Sequence, residues 1–256
     1  MDPGVRSPFI DVFRRGEVPN DVRLLAARGA VAPSAHDQLA LLLILSDDPD
    51  PAIAETAART IEALPRPGLA TFLGRPEAPQ AIRDFFAARG IHPDTSAAPR
   101  DEPDEPLVPG GQEPVDQKEE TGADPRVLST LPVIDRMKLA MRGTREQRSQ
   151  LIRDSNRLVA VAVLSSPKLT ESEVEAFARM ANLSEDVLRI IAMNRAWLKN
   201  YNVVAALTRN PKTPTPLAMT FLQRLNERDL KMLSIDRNVA EPVRLAARKF
   251  LAKGRH

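Results

Sequence analysis

Apolar residues along this chain recur mostly at helical spacing, and they do so in two styles. Leu158-Val159-Ala160-Val161-Ala162-Val163-Leu164 and Val203-Val204-Ala205-Ala206-Leu207 are apolar nearly all round, as a helix covered on several sides is. Val174, Phe177 and Ala178, and again Leu217, Phe221, Leu222 and Leu225, mark one stripe, as a helix with one wet face does. The pattern predicts helices over 132–141, 144–154, 156–165, 170–181, 184–195, 200–208, 214–225, 227–235 and 240–252. In the first part it predicts them over 8–15, 19–29, 35–46, 51–63, 66–73 and 78–89.

Helix starts are signalled by a short polar residue, a proline or its equivalent, and then an amphipathic run. Asp48-Pro49-Asp50-Pro51, Arg75-Pro76-Glu77-Ala78-Pro79, Ser166-Pro167-Lys168-Leu169-Thr170, Asn182-Leu183-Ser184, Asn210-Pro211-Lys212-Thr213-Pro214 and Asn238-Val239-Ala240-Glu241-Pro242 all follow this phrase. Asp50 and Thr213 are expected to cap free backbone N–H groups, with Pro51 and Pro214 at the first helical position, where a missing N–H costs nothing. Thr144 with Gln147, and Thr170 with Glu173, have capping-box spacing. Asn194, Asn210 and Asn238 are expected to end helices or open turns through their own backbone hydrogen bonds.

These signals repeat. Asn182, Asn210 and Asn238 are 28 apart, while the segments from Val159 and Val203 align at an offset of 44, placing Pro167 over Pro211, Lys168 over Lys212 and Phe177 over Phe221. Short helix pairs at such periods cannot bury their stripes alone and must stack, which is the logic of an α-solenoid.

Residues 202–222, NVVAALTRNPKTPTPLAMTFL, resemble the unit of HEAT/armadillo-type and leucine-rich-repeat-variant helical repeats, in which an inner helix ends in an Asn-Pro turn that starts the next helix. The similarity extends to 158–181, 236–251 and 46–89. It implies an all-α fold, a right-handed α-solenoid of irregular HEAT-like helix pairs, and a binding role. Repeat length here is irregular, and the cysteine cluster of some leucine-rich-repeat-variant proteins is absent, so no iron–sulfur role carries over.

Composition supports helices and removes chemistry. The 256 residues are 43% hydrophobic, only 4% aromatic and free of cysteine, which excludes disulfides, thiolate metal sites and cysteine nucleophiles. The net charge of +2 conceals a split: residues 1–125 hold 12 Lys+Arg and 22 Asp+Glu, and residues 126–256 hold 24 and 12. Residues 94–125 alone carry 2 basic and 10 acidic groups among many prolines, with Leu107, Val108 and Val115 as their sizeable apolar side chains. Such a stretch reads as a disordered acidic tether. The expected organisation is an N-terminal helical domain (1–93), the linker (94–125) and a C-terminal helical-repeat domain (126–256). No basic-then-apolar leader opens the chain, and no apolar run is longer than Leu39–Leu45, which is far below the ~20 residues that span a bilayer, so a cytoplasmic protein is expected.

No catalytic, cofactor-binding or metal-ligating constellation emerges. His36, His92 and His256 lack metal-ligand spacing, Gly110-Gly111 lacks the context of a phosphate loop, and Glu171, Glu173 and Glu175 read as a solvated face at a helix N-terminus. Neither a cofactor nor a small-molecule substrate is indicated. The candidate partner-binding residues are Arg195, Trp197, Lys199 and Tyr201, where the only Trp and the only Tyr are interleaved with cations. Trp197 as a wedge between repeats, with Tyr201 capping the next helix, is the competing role. A candidate basic patch comprises Arg145, Arg148, Arg153, Arg244 and Arg248.

The function expected is a non-catalytic scaffold or adaptor that takes a protein or peptide along a helical-repeat groove. The competing expectation is nucleic-acid binding by residues 126–256, with the acidic linker acting as a rival polyanion. A base-excision glycosylase, which would need Trp197 and a carboxylate such as Asp186, is a third reading with nothing to fix the two around a pocket.

Overall fold

The structure, a computed structural model, describes residues 7–94, 104–108 and 125–253, with side chains in the last stretch from 128 to 252. Among the described residues it is all-α, with sixteen helices and no strand. The first six are α1 (Pro8–Arg14), α2 (Asn20–Ala27), α3 (Ala35–Leu45), α4 (Pro51–Glu62), α5 (Arg66–Leu73) and α6 (Gln80–Ala87). The rest are α7 (Pro125–Thr130), α8 (Val133–Arg142), α9 (Arg145–Leu151), α10 (Arg157–Leu164), α11 (Glu171–Arg179), α12 (Glu185–Met193), α13 (Tyr201–Arg209), α14 (Thr215–Phe221), α15 (Glu227–Ile235) and α16 (Glu241–Lys253). Short 3-10 turns at Trp197–Lys199 and Leu222–Arg224 interrupt the series. No described helix is long and apolar enough to cross a membrane.

Caps set the starts. Asp50 accepts from the Ala52 N–H at 3.0 Å with Pro51 at the first helical position, and both capping boxes form, Thr144 with Gln147 and Thr170 with Glu173. Asn194 and Asn210 end α12 and α13 and accept from backbone N–H groups two residues on. The cap of α14 differs from expectation. Pro214 itself is the cap of α14, Pro216 lies in its first turn, and the buried Thr213 hydroxyl makes no hydrogen bond. Either proline fits a first turn, and the chain uses the later one.

α10 to α12 correspond to α13 to α15 element by element. Asn156 and Asn200 cap α10 and α13, accepting from the N–H groups of Leu158 and Asn202 at 2.9 Å. All seven residues Leu158–Leu164 are buried, as are Val203, Val204, Ala206 and Leu207. Phe177 and Phe221 are buried on the second helices, and Leu188 with Ile191 matches Leu230 with Leu233 on the third. The recurring unit thus has three helices rather than the expected pair, because Ser184 and Asn226 each start one more. The 28-residue spacing of asparagines has no such meaning: Asn210 is buried, whereas Asn182 and Asn238 are exposed.

α1 packs against α10, and Arg157 at the start of α10 donates to Glu17 at 2.6 Å, so the early helices meet the later ones directly. Buried side chains from α1 through α16 form one continuous core. Most of the expected linker, residues 95–103 and 109–124, lies outside the described residues. Asp104–Val108 does not behave as a tether: it lies against α3 and α5, with Leu107 and Val108 packed on the core.

Candidate interaction groove

A groove of about 670 Å³ runs along α13, with Arg179 from α11 on one wall and Asp229 from α15 and Asp236 on the other. Its centre is built by Tyr201, the first residue of α13. The Tyr201 hydroxyl donates to the Asp229 carboxylate and accepts from the Asn226 N–H at 3.2 Å, while Arg209, at the far end of the same helix, donates to the other oxygen of Asp229. Burial raises the pKa of the Tyr201 hydroxyl, and its hydrogen bond to anionic Asp229 pushes in the same direction. The phenol therefore stays protonated and acts as a donor.

Asn210 forms the floor. It is buried, its amide donates to the carbonyls of Ala178 (2.8 Å) and Met180 (2.9 Å) at the end of α11, and its oxygen accepts from the Lys212 N–H at 2.9 Å. Arg179 pairs with Glu175 one turn earlier. Cations and carboxylates therefore alternate around the groove.

A second surface lies on the third helices. Lys231 pairs with Glu227 and Arg189 with Glu185, both at 2.6 Å and both on the first two turns of their helix. Beside these pairs, Met193 at the end of α12 and Ile235 at the end of α15 are 70% and 69% exposed, at equivalent positions of successive units. Met232 is also exposed, and it lines a shallow depression of about 610 Å³ with Ile235, Arg228 and Lys231. No sequence pattern singled out Arg209, Asp229, Met193, Met232 or Ile235. The one signal along the chain was α15 itself, ERDLKMLSI, whose apolar positions spread wider than one stripe.

No family model, curated protein or solved structure matches this chain.

Of the expected partner-binding residues, only Tyr201 enters the groove. Trp197 is half-buried against the core in the 3-10 turn, its backbone N–H donating to the Asn194 side chain, and Arg195 and Lys199 are exposed beside it. Arg224 ties this turn to the next unit by donating to the Leu198 carbonyl. Asn200 rather than Tyr201 caps α13, because its side chain can accept from the Asn202 N–H and a phenol at the first helical position cannot.

The basic patch is not one surface. Arg148 is buried and makes a two-point pair with Glu173, Nε to Oε1 and Nη2 to Oε2 both at 3.0 Å, with further bonds to the carbonyls of Gly143 and Lys168. Glu173 is correspondingly not a solvated face residue. Burial alone would raise its pKa, but hydrogen bonds from Thr170 and the charge and hydrogen bonds of Arg148 outweigh that and hold the carboxyl below its usual range. Arg145 is exposed at the start of α9, which packs on α8, α10 and α11, and Arg153 is exposed in the turn after it. Arg244 and Arg248 sit on α16, which packs on α14 and α15, and Arg248 donates to the Ser234 carbonyl at 3.2 Å. Asp186 lies 3.5 Å from Arg157 as an ion-pair partner at the start of α12. Among the described residues no group of three or more His, Asp or Glu is placed to hold a metal ion.

Proposed function

We propose that the chain is a non-catalytic interaction scaffold, an irregular right-handed α-solenoid whose later helices bind a protein partner. The observation that carries this reading is the equal exposure of Met193 and Ile235 at the same place in two successive units, each beside a Glu–Lys or Glu–Arg pair. Aliphatic contacts repeated along a stack and rimmed by charges of both signs suit a polypeptide, whose own surface mixes the same elements. The Tyr201–Asp229–Arg209 groove adds fixed polar groups for orientation.

A phosphate backbone would instead need a run of uncompensated cations. Of the five arginines expected to supply one, Arg145 and Arg148 are on α9, Arg153 follows it, Arg244 and Arg248 are on α16, and Arg148 is engaged by Glu173.

The test compares the full chain with its Met232→Asp/Ile235→Asp variant in affinity purification from the native cell, with and without nuclease. Both side chains are exposed, so the variant should keep the parent melting temperature. The reading expects a nuclease-resistant protein to be retained by the parent and lost by the variant. Retention by both, or loss on nuclease treatment alone, overturns it.

A further inference from the structure

The cleft between the α2–α3 turn and the start of α5 holds a short piece of the chain's own acidic region in a manner that a passing loop does not require. Gln38, on α3, is buried to 1% exposure, and all of its side-chain bonding is directed at backbone. Its Nε2 donates to the Val108 carbonyl at 2.9 Å, its Oε1 accepts from the Val108 N–H at 3.0 Å, and the second Nε2 hydrogen goes to the Gly29 carbonyl at 2.9 Å. The bond to Gly29 fixes which way the amide faces. The other two match, on a single residue, the donor–acceptor pair that a neighbouring strand presents.

The rest of the cleft reads the segment from its flanks. Gly29 has φ +79°, and a Cβ there would stand 3.0 Å from Gln38 Nε2 and 3.5 Å from the Val108 Cβ, so a side chain at this position would press on the clamp and the segment it holds. Leu107 lies over Gly68, where an added Cβ would come within 3.5 Å of its Cδ2, and both Leu107 and Val108 pack on the core. Arg75 pairs with Asp104 at 3.5 Å. Pro106 fixes its own φ, and Pro106 and Pro109 restrict the backbone of the residues before them, which lowers the conformational freedom lost on docking.

We propose that this cleft is a recognition site for an acidic-apolar peptide of the form Asp-x-Pro-Leu-Val that bends at the Leu-Val pair, occupied in cis by residues 104–108 and open to a partner segment of the same pattern once those residues leave. Backbone pairing to Gln38 supplies affinity that does not depend on side chains, the Leu and Val contacts select the apolar pair, and Arg75 selects the acidic residue three positions before the Leu. Asp94 is anchored to the Ala70 carbonyl at 2.9 Å, and only residues 95–103 separate it from Asp104. A connection that short presents the segment at an effective concentration on the order of millimolar, so a weak peptide site is filled by its own chain and yields only to a better-matched or more concentrated competitor. The site is distinct from the α12 and α15 surface and does not depend on it.

The experiment uses the full-length chain with residues 104–108 replaced by Gly-Ser-Gly-Ser-Gly, and a fluorescein-labelled peptide, EPDEPLVPG, corresponding to residues 102–110. Anisotropy should show the peptide binding the replaced chain about tenfold or more tightly than the intact chain. A peptide N-methylated at the Val108 nitrogen, which leaves the protein untouched, should lose about tenfold, the effect of leaving the Gln38 acceptor unpaired. In the intact chain the Val108 amide should exchange its hydrogen slowly, and quickly after Gln38→Leu. The inference is overturned if the replaced chain ignores the peptide, if methylation changes nothing, if the intact chain binds as tightly as the replaced one, or if the Val108 amide of the intact chain is unprotected.

Discussion

Ser166 and Asn210 stand forty-four positions apart and play the same structural part, since each is buried after an inner helix and donates from its side chain to a carbonyl at the end of an earlier helix. Ser166 Oγ reaches the Met141 carbonyl in α8 at 2.7 Å, and Asn210 Nδ2 reaches those of Ala178 and Met180 at the end of α11. The last carbonyls of a helix have no partner within it, so the following inner helix supplies one. The residue that terminates α13 therefore also fastens it to α11.

Asn210→Ala should lower stability by about 1–3 kcal/mol, since buried carbonyls lose their donors while the core is little changed. Ser166→Ala, which removes one such bond, should fall at the lower end of that range. Chemical denaturation with unchanged slope is the check; an Asn210→Ala chain as stable as the parent would contradict the role assigned to it.

The Arg148–Glu173 pair should behave as a unit. Removing one partner leaves the other charge buried and unpaired, so Arg148→Ala and Glu173→Ala should each cost about 3–5 kcal/mol, and the double variant markedly less than their sum. Because the folded-state pKa of Glu173 is lowered, its contribution is present above the unfolded carboxylate value of 4.5 and is lost as pH falls through the folded value. The melting temperature of the parent should therefore drop on acidification below that value more steeply than that of Glu173→Ala.

Asp37 has the opposite sign. Its oxygens accept from Ser7 and Ser34 at 3.1 Å, but burial outweighs these bonds and raises its pKa above 3.8, with Asp104 of the docked segment adding to the rise and His36 opposing it. A raised folded-state pKa means stability that is fully present below the unfolded value and lost as pH rises through the folded one. Asp37→Asn should accordingly be more stable than the parent at neutral pH, with the gain vanishing at acid pH. Thermal melts at pH 3 and pH 7 decide it.

Tyr201→Phe keeps the ring and removes the bonds to Asp229 and Asn226. Asp229 retains Arg209, so the cost should be modest, about 0.5–1.5 kcal/mol. Asp229→Asn/Arg209→Gln in the same background should add little further, since the three side chains form one network.

Much of this was legible along the chain because helix starts depend on neighbours. Asp50 before Pro51, Thr170 three before Glu173 and the uninterrupted apolar run from Leu158 to Leu164 each carry their structural meaning within a few residues. The candidate surfaces depend on partners far away. Arg148 sits on a short polar helix beside the exposed Arg145, and only Glu173, twenty-five residues on, withdraws it from the surface. Gln38 is a single polar residue at the edge of the apolar run of α3, and its counterpart Val108 lies seventy residues off within a stretch whose average composition is that of a tether. The apolar pair Leu107-Val108 was visible there, but composition averages over thirty residues conceal a five-residue motif. Groove residues Asp229 and Arg209 belong to α15 and α13, and pairing between separate helices leaves no mark on either helix alone.

The most direct test of the interaction role is quantitative binding by the full chain before and after Met232→Asp/Ile235→Asp, using the protein that affinity purification identifies and, in parallel, duplex DNA and structured RNA at matched salt. The account predicts protein binding that weakens at least tenfold in the variant, with nucleic-acid binding weak in both. Tight, steeply salt-dependent nucleic-acid binding that the substitutions leave unchanged, together with unaltered affinity for the protein, would contradict it.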